Sequence, residues 1–556
     1  MSSITEQKSH KELVANWQTL VRTFIRPENV ETHQTLIKYM EQILFGLQEF
    51  LRDHVGITEE KSLRELSQLY SDTTLPATPE KRLAEVITDL IEDIAPHAVN
   101  VASPYFIGHM TAAIPFFMVH LKTITTALNQ NVVKLETSKV LSIIEKQVLA
   151  KIHRLIYQFD AKFYAEHVQS TDTALGCFTE DGTIANLTAL WVARNHLFAP
   201  KKDFAGIEKE GLGAAFRAYN TKRCVILVSR LAHYSLQKAA GVLGLGNNNV
   251  IGIETDSEYR LNIDKLQTTI SRLQQEEGTR ILAVIGIAGT TETGTIDPLP
   301  EMARICRSEK IHFHVDAAWG GPTLLSDKYC HLLAGIELAD SVTIDGHKQF
   351  YMPMACGMIH FRDPQALDAI AYHARYINRP GSVDLGIKSL SGSREANSLV
   401  LDSALKIMGT EGYSLLLEHG ITTANSFGAE IARRPHFELT SKPVLNILTY
   451  RLFPQELQKD MALADKTRKK TILDQVNDLN RNIQRRQREA GRSFVSRTTL
   501  QGCGTTECVV LRAVIMNPMT DMRILREILD EQEKIWQDMA AESVQKTHTS
   551  AAADLR

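Results

Sequence analysis

A chain of 556 residues outgrows a single hydrophobic core, which stops growing somewhere beyond about 250 to 300 residues, so more than one lobe is expected. With 44% hydrophobic and 23% charged residues it can build a folded interior under an ordinary polar surface, which excludes a disordered chain and a small disulfide-stapled scaffold. Lys and Arg number 62 against 65 Asp and Glu, a net charge of -3, so the chain lacks the overall positive field of a nucleic-acid binder.

The opening residues MSSITEQKSHKELV lack the apolar stretch of a secretory signal, and no later run is long and apolar enough to span a bilayer. A cytoplasmic protein with no membrane partner is expected. Seven scattered cysteines without a close CxxC pair argue for free thiols rather than a zinc knuckle or a disulfide framework.

From about Lys11 to Leu90 the pattern is helical, with LVANWQTLVRTFI and LIKYMEQILFGLQEFLRDHV carrying apolar residues three and four apart. Two prolines in the run from Thr74 to Pro79 interrupt it before a further helix from Glu80. A helical arm this long has an apolar face to cover, either with its own core or with a partner subunit.

The centre changes character. Short apolar runs CVILVS, ILAVIGIAG, IHFHVDAAW and ADSVTIDG alternate with longer helical segments such as TIANLTALWVARNHLF. That alternation predicts an α/β fold with a mostly parallel sheet covered by helices. Ligands of such sheets collect beyond the carboxyl ends of the strands and at helix N-termini. After about Asp384 the chain turns more helical, KPVLNILTYRLF reads as a strand, and a charged helical stretch runs from Asp460 to Gly491. The Lys/Arg-rich part from Lys466 to Arg492 is interrupted by acids and reads as a solvated helical insert. The apolar run ECVVLRAVIMNP follows, then a final helix near Thr520 and a frayed tail from Gln545.

Four motifs stand in order: TEDGTIAN from Thr179, SRLAHYSLQKAA from Ser229, HVDAAWGG from His314 and SVTIDGHKQ from Ser341. Together they resemble the group II pyridoxal-phosphate decarboxylases, over about Pro104 to Leu529. Singly each has a plainer reading: a surface lysine, a helix cap, a structural histidine, a simple turn. The resemblance implies a fold type I enzyme that binds pyridoxal phosphate, in which Lys348 bonds to the cofactor and Asp316 pairs with its pyridine nitrogen. A buried apolar setting is expected to help Lys348 by disfavouring its ammonium form. His233 matches the residue stacked over the ring and able to move a proton. Ala318 permits close approach to the ring, and Thr291, in preference to Thr290, supplies a hydroxyl. Thr183 and the backbone N–H of Ile184 would hold the phosphate, with His347 or the turn from Ser391 to Arg394 completing the cradle.

Arg512 matches the arginine that pairs with a substrate carboxylate, a role suited to a planar fork of donors, with a salt bridge behind the site as the plainer alternative. Arg394 is expected to help organise the cofactor or substrate region. Tyr376, with Tyr372 as the alternative, would be the loop tyrosine that returns a proton to carbon. One departure is plain: the family often has Asn-Pro before the histidine, where this chain has Asp345 and Gly346. The DGHKQ and ARYINRPGSVDLG segments look most like bacterial members that act on aspartate. The implied reaction is therefore L-aspartate to β-alanine, with L-glutamate and cysteine sulfinate as alternatives. An aminotransferase and a silent scaffold are the rivals, disfavoured by the Arg512 motif and by the presence of Lys348, Asp316 and His233. The resemblance also implies a homodimer, and a division into a helical dimerisation segment (1–100), a cofactor domain (101–385) and a smaller α+β domain (386–556).

Overall fold

The computed structural model describes residues 17, 30–53, 63–373, 384–501 and 507–553. They fall into two compact units, one containing residues up to Phe106 together with Arg485–Phe494, the other Ile107–Gln484 together with the chain from Val495 onward.

The first unit is helical as expected. It contains α1 (Val30–Asp53), α2 (Leu63–Leu69) and α3 (Leu83–Asp89). The segment LVANWQTLVRTFI lies outside the described residues apart from Trp17. Asn100 Nδ2 donates to the carbonyls of Phe50 and Leu51, at 3.2 and 3.0 Å, satisfying oxygens that the end of α1 leaves without helical partners. The third helix begins at Leu83 rather than Glu80, because Arg82 stays extended and its N–H bonds to Glu85 Oε2 at 2.7 Å.

The second unit is built on a seven-stranded sheet: β1 (Gly176–Thr179), β2 (Arg223–Ser229), β3 (Val250–Ile253), β4 (Thr279–Ile287), β5 (His312–Asp316), β6 (Ser341–Asp345) and β7 (Gly357–Phe361). Its order is β1-β7-β6-β5-β4-β2-β3, and only β7 runs against the rest. Strands β5 and β6 are buried almost throughout, as continuous apolar runs covered on both faces should be. The covering helices include α4 (Phe116–Leu128), α5 (Val140–Tyr157), α6 (Gly182–Leu197), α7 (Ser235–Val242) and α8 (Asn397–Arg433), the last broken at Gly409, whose φ is 64°.

A second, antiparallel sheet has the order β10-β11-β9-β8, from β8 (Phe437–Ser441), β9 (Ile447–Leu452), β10 (Ser496–Gln501) and β11 (Glu507–Val514). Helix α9 (Lys466–Ala490) corrects the reading of a solvated insert. Ile472 and Val476 are buried against Phe453, and Asn480 gives and takes hydrogen bonds with both Leu452 backbone groups, at 2.8 and 2.9 Å. Asn477 does the same for Glu507 O and Val509 N. These amides stand in for a neighbouring strand, a role that a charge-dominated sequence conceals. The expected frayed tail is also corrected: α10 (Met522–Ala553) carries the helix through the alanines that favour it. Among the described residues no helix is long and apolar enough to cross a membrane, and the described cysteines are all free.

Behind the sheet, the buried His153 on α5 is neutral: its Nε2 donates to Phe361 O and its Nδ1 accepts from Tyr164 Oη, both at 3.0 Å. Burial first pushes it down to about 4. A histidine depressed from 6.5 in this way contributes stability that is intact above 6.5 and lost as pH falls toward 4. Urea unfolding is expected to show a loss on the order of 2 kcal/mol from this one group between pH 7 and 5. A His153→Phe protein whose stability changes equally over that range would refute it.

Candidate active site

Five parallel strands end around one cavity of about 530 Å³. Beyond β1 lie Asp181 and Thr183; beyond β2, His233; beyond β4, Thr291 and Glu292. Strand β5 ends at Asp316, and β6 ends at Asp345 before His347 and Lys348. Arg512, from β11 of the other sheet, completes the wall. This is where an open parallel sheet gathers ligands.

Lys348 Nζ lies 2.9 Å from Asp345 Oδ2, and the aspartate side chain is only 3% exposed. Burial pulls the lysine down, as expected, but Asp345 and then Asp316 outweigh it, so the amine is held above its ordinary value. The expectation of an apolar setting that favours the neutral amine is therefore corrected. The departure at Asp345 is the cause: its carboxylate faces the lysine. Gly182, the first residue of α6, is what lets the helix approach, because a Cβ there would meet Asp345 Oδ2 at 2.8 Å. His347 Nδ1 faces the backbone of Cys356, 2.7 Å from its carbonyl oxygen and 3.1 Å from its nitrogen.

Asp316 is held by two donors: Ala318 N–H to Oδ1 at 3.1 Å and Asn186 Nδ2 to Oδ2 at 2.9 Å. A chain of hydrogen bonds stands behind it. Because an ionised carboxylate only accepts, Asn186 turns its amide nitrogen to Asp316 and its oxygen to His314 Nε2, 3.0 Å away. His314 must then donate from Nε2 and accept at Nδ1 from Ser341 Oγ at 2.9 Å, and Ser341 in turn accepts from His312 Nε2 at 2.8 Å. Burial pushes His314 down to about 4, consistent with a neutral ring. Each link of this chain is donated in the direction of Asp316, which fixes the carboxylate in place. A His314→Phe protein is expected to bind its ring-nitrogen ligand more weakly, by about one power of ten. Unchanged affinity in a fluorescence titration would remove the relay from the site.

His233 accepts the Ser235 N–H at Nδ1 at 3.3 Å, which leaves Nε2 to carry the proton of the neutral ring. Burial lowers its pKa, with the Asp316 carboxylate pulling it back up and the Lys348 ammonium pushing it further down. The two threonines separate cleanly. Thr290 is locked into hydroxyl contacts with Thr293 and Thr295 at 2.7 and 3.1 Å, while Thr291 lines the cavity. Arg512 is 8% exposed and fixed by two carbonyls, Nη1 to Thr291 O at 2.8 Å and Nη2 to Gly108 O at 3.0 Å. Its Nε is buried without a partner.

The structure thus brings Thr183, His233, Thr291, Asp316, Ala318, His347, Lys348 and Arg512 to one cavity. It does not bring Ile184 there: that N–H is taken by Asp181 Oδ1 at 3.0 Å, the cap of α6. Nor does it bring Arg394, whose guanidinium grips the buried Glu145 in two bonds of 2.9 and 2.6 Å. Ser391, from the same turn, donates to Glu180. Tyr372 is exposed, and Tyr376 lies outside the described residues. Asn186 and His314 were missed as site residues although each sits inside a motif already noted, TEDGTIAN and HVDAAWGG, and Glu292 was missed although it directly follows Thr290 and Thr291. His109, which also lines the cavity, carries no sequence signal.

A family model described as the pyridoxal-dependent decarboxylase conserved domain matches residues 65–453. A protein of Aliivibrio fischeri named aspartate 1-decarboxylase is 43% identical over 528 residues, which cover 95% of this chain and 96% of that protein. The acidic amino acid decarboxylase GADL1 of Xenopus tropicalis is 30% identical over 366 residues, 65% of this chain and 66% of that one. The crystal structure of mouse CSAD in apo form shares the fold, with a TM-score of 0.77 at 24% identity over 91% of this chain and 99% of that chain. On the span of the family match and the likeness to the Aliivibrio protein, the chain belongs to the pyridoxal-dependent decarboxylase family and is an amino-acid decarboxylase that works with pyridoxal phosphate.

Proposed function

We propose that the chain removes the α-carboxylate of L-aspartate, giving β-alanine and carbon dioxide. The observation that carries an acidic substrate is Arg512, a buried cation anchored by two backbone carbonyls in the cavity that also holds Lys348 and Asp316. The choice of aspartate among acids is supported by the name and the 95% coverage of the Aliivibrio relative.

The donor set fits pyridoxal phosphate. Lys348 offers an amine to its aldehyde, Asp316 a carboxylate to its ring nitrogen, His233 an imidazole to its face, Thr291 a hydroxyl, and the start of α6 at Thr183 the N-terminal end of a helix dipole to its phosphate. When bound, the cofactor supplies the conjugated ring that takes up the electrons left by departing carbon dioxide. Asp316 would hold a proton on the ring nitrogen, and the hydrogen bond from Asn186, itself fixed by His314, keeps the carboxylate in place for that task. Asp345 keeps a proton on Lys348 Nζ until the amine is needed. Arg512 binds the side-chain carboxylate and so orients the substrate, leaving the bond to the α-carboxylate as the one presented for cleavage. Tyr376 is assigned the return of the proton to carbon.

Product assays on purified protein with L-aspartate, L-glutamate and cysteine sulfinate decide the substrate; no carbon dioxide from aspartate would remove the reading. A homodimer is part of the same proposal, with residues 1–100 as a dimerising segment, 101–385 as the cofactor domain and 386–556 as the smaller domain. Exposed Ile37, Phe45 and Leu51 on α1, and exposed Phe116, Ile124 and Leu128 on α4, support a partner surface. A monomeric mass by light scattering would contradict it.

A further inference from the structure

One carboxylate in the cavity has no part in the chemistry above. Glu292 follows Thr291 in the loop after β4 and lines the same cavity as Arg512. Its Oε2 is buried without a hydrogen-bond partner, and so is Arg512 Nε. The guanidinium is fixed by the carbonyl of Thr291, the residue next to Glu292, yet acid and base make no ion pair with each other. A buried carboxylate oxygen with no donor is costly when charged and cheap when the group is protonated. Burial raises the Glu292 pKa, against its own backbone N–H and then Arg512. His109 faces the same space, but burial, Arg512 and Lys348 depress it, so it adds no positive charge there. The cavity's other charged groups are already engaged: Lys348 with Asp345, Asp316 with Asn186 and Ala318, and Asp181 with Ile184 N–H.

We propose that Glu292 is a specificity-determining residue: carrying a proton, its carboxyl donates a hydrogen bond to the side-chain carboxylate of the substrate while Arg512 pairs with the same group. This rests on the reading of the chain as an acidic amino-acid decarboxylase. Two ionised carboxylates in a dry pocket repel, whereas two that share one proton attract, and a carboxylate has acceptor sites enough for both the carboxyl and the unspent guanidinium donors. Binding of a dicarboxylate to enzyme in which Glu292 is ionised therefore takes one proton from solvent. An ionised Glu292 would instead favour a cationic side chain.

The test uses holoenzyme and succinate, a dicarboxylate without an amino group to react. Calorimetry in two buffers of different ionisation enthalpy counts the protons, and the titration is repeated between pH 5.5 and 9. Wild-type enzyme is expected to take up close to one proton per succinate at the alkaline end, with affinity falling by about tenfold per pH unit there. Glu292→Gln, which keeps a donor of the same shape, is expected to bind with little uptake and little pH dependence. Glu292→Ala should bind about tenfold more weakly than Glu292→Gln, the loss of one hydrogen bond to a charged group. Succinate binding without proton uptake, or uptake that persists in Glu292→Gln, overturns the role of Glu292 and leaves the acidic-substrate reading standing. Turnover of 2,4-diaminobutyrate by wild type that is lost in Glu292→Gln also overturns it, by showing an ionised acid at work. Failure of wild type to bind succinate or decarboxylate any acidic amino acid removes the parent reading, and this inference with it.

Discussion

A Lys348→Ala protein is expected to lose decarboxylase turnover by about three powers of ten or more, the scale on which removal of a covalently acting group is felt. It should also fail to retain cofactor after borohydride reduction, which mass spectrometry reads directly. A second effect follows from the geometry. Removing the ammonium strands Asp345, 3% exposed, without the partner it holds at 2.9 Å. Breaking such a pair costs about 3 kcal/mol, so the cofactor-free variant should melt earlier than cofactor-free wild type. Adding Asp345→Asn should restore most of that loss and none of the turnover. Full turnover in Lys348→Ala would refute the assignment of the amine, and an unchanged melting temperature would refute the ion pair as a source of stability.

Arg512→Met is expected to lower kcat/KM for aspartate by about two to three powers of ten, the worth of a desolvated charge-assisted pair. Arg512→Lys should recover only part of it, because an ammonium keeps the charge but not the fork. The residue also satisfies the carbonyls of Thr291 and Gly108, so truncation carries a structural penalty of about 1 to 3 kcal/mol for each acceptor left bare. The decisive readout is therefore a ratio, kcat/KM for aspartate over that for asparagine, which a purely structural loss would lower in both terms alike. A ratio that stays at the wild-type value in Arg512→Met places the substrate's acid elsewhere.

Much of this was legible in the residues. Strands buried on both faces must read as apolar runs, so β2, β4, β5 and β6 stood out and the chemistry followed at their carboxyl ends. The edges were harder to see. Strand β10, SRTTLQ, is half exposed and polar, and its place beside β11 depends on pairing rather than on composition. Long-range partners left no trace at all: Arg394 reads as a cation for the cofactor or substrate region until Glu145, 249 positions away, is brought to it. Lys348 was misjudged for a different reason. Burial alone does favour the neutral amine, but two carboxylates supplied by β5 and β6 reverse the balance. The second member of the pair, Asp345, had been noticed only as a departure from a pattern.

The cavity draws on five strand ends and on a second sheet, from His109 to Arg512, so it exists only once nearly the whole second unit is in place. Pairings of such wide sequence separation form late and slowly. A cofactor that recognises only the finished cavity therefore acts as a thermodynamic ratchet on folding itself, adding about 2.7 kcal/mol at a free concentration a hundred times its dissociation constant. Cells short of pyridoxal phosphate would then hold less of this enzyme as well as less of it in working order, because the cofactor-free chain spends more of its time open to proteases.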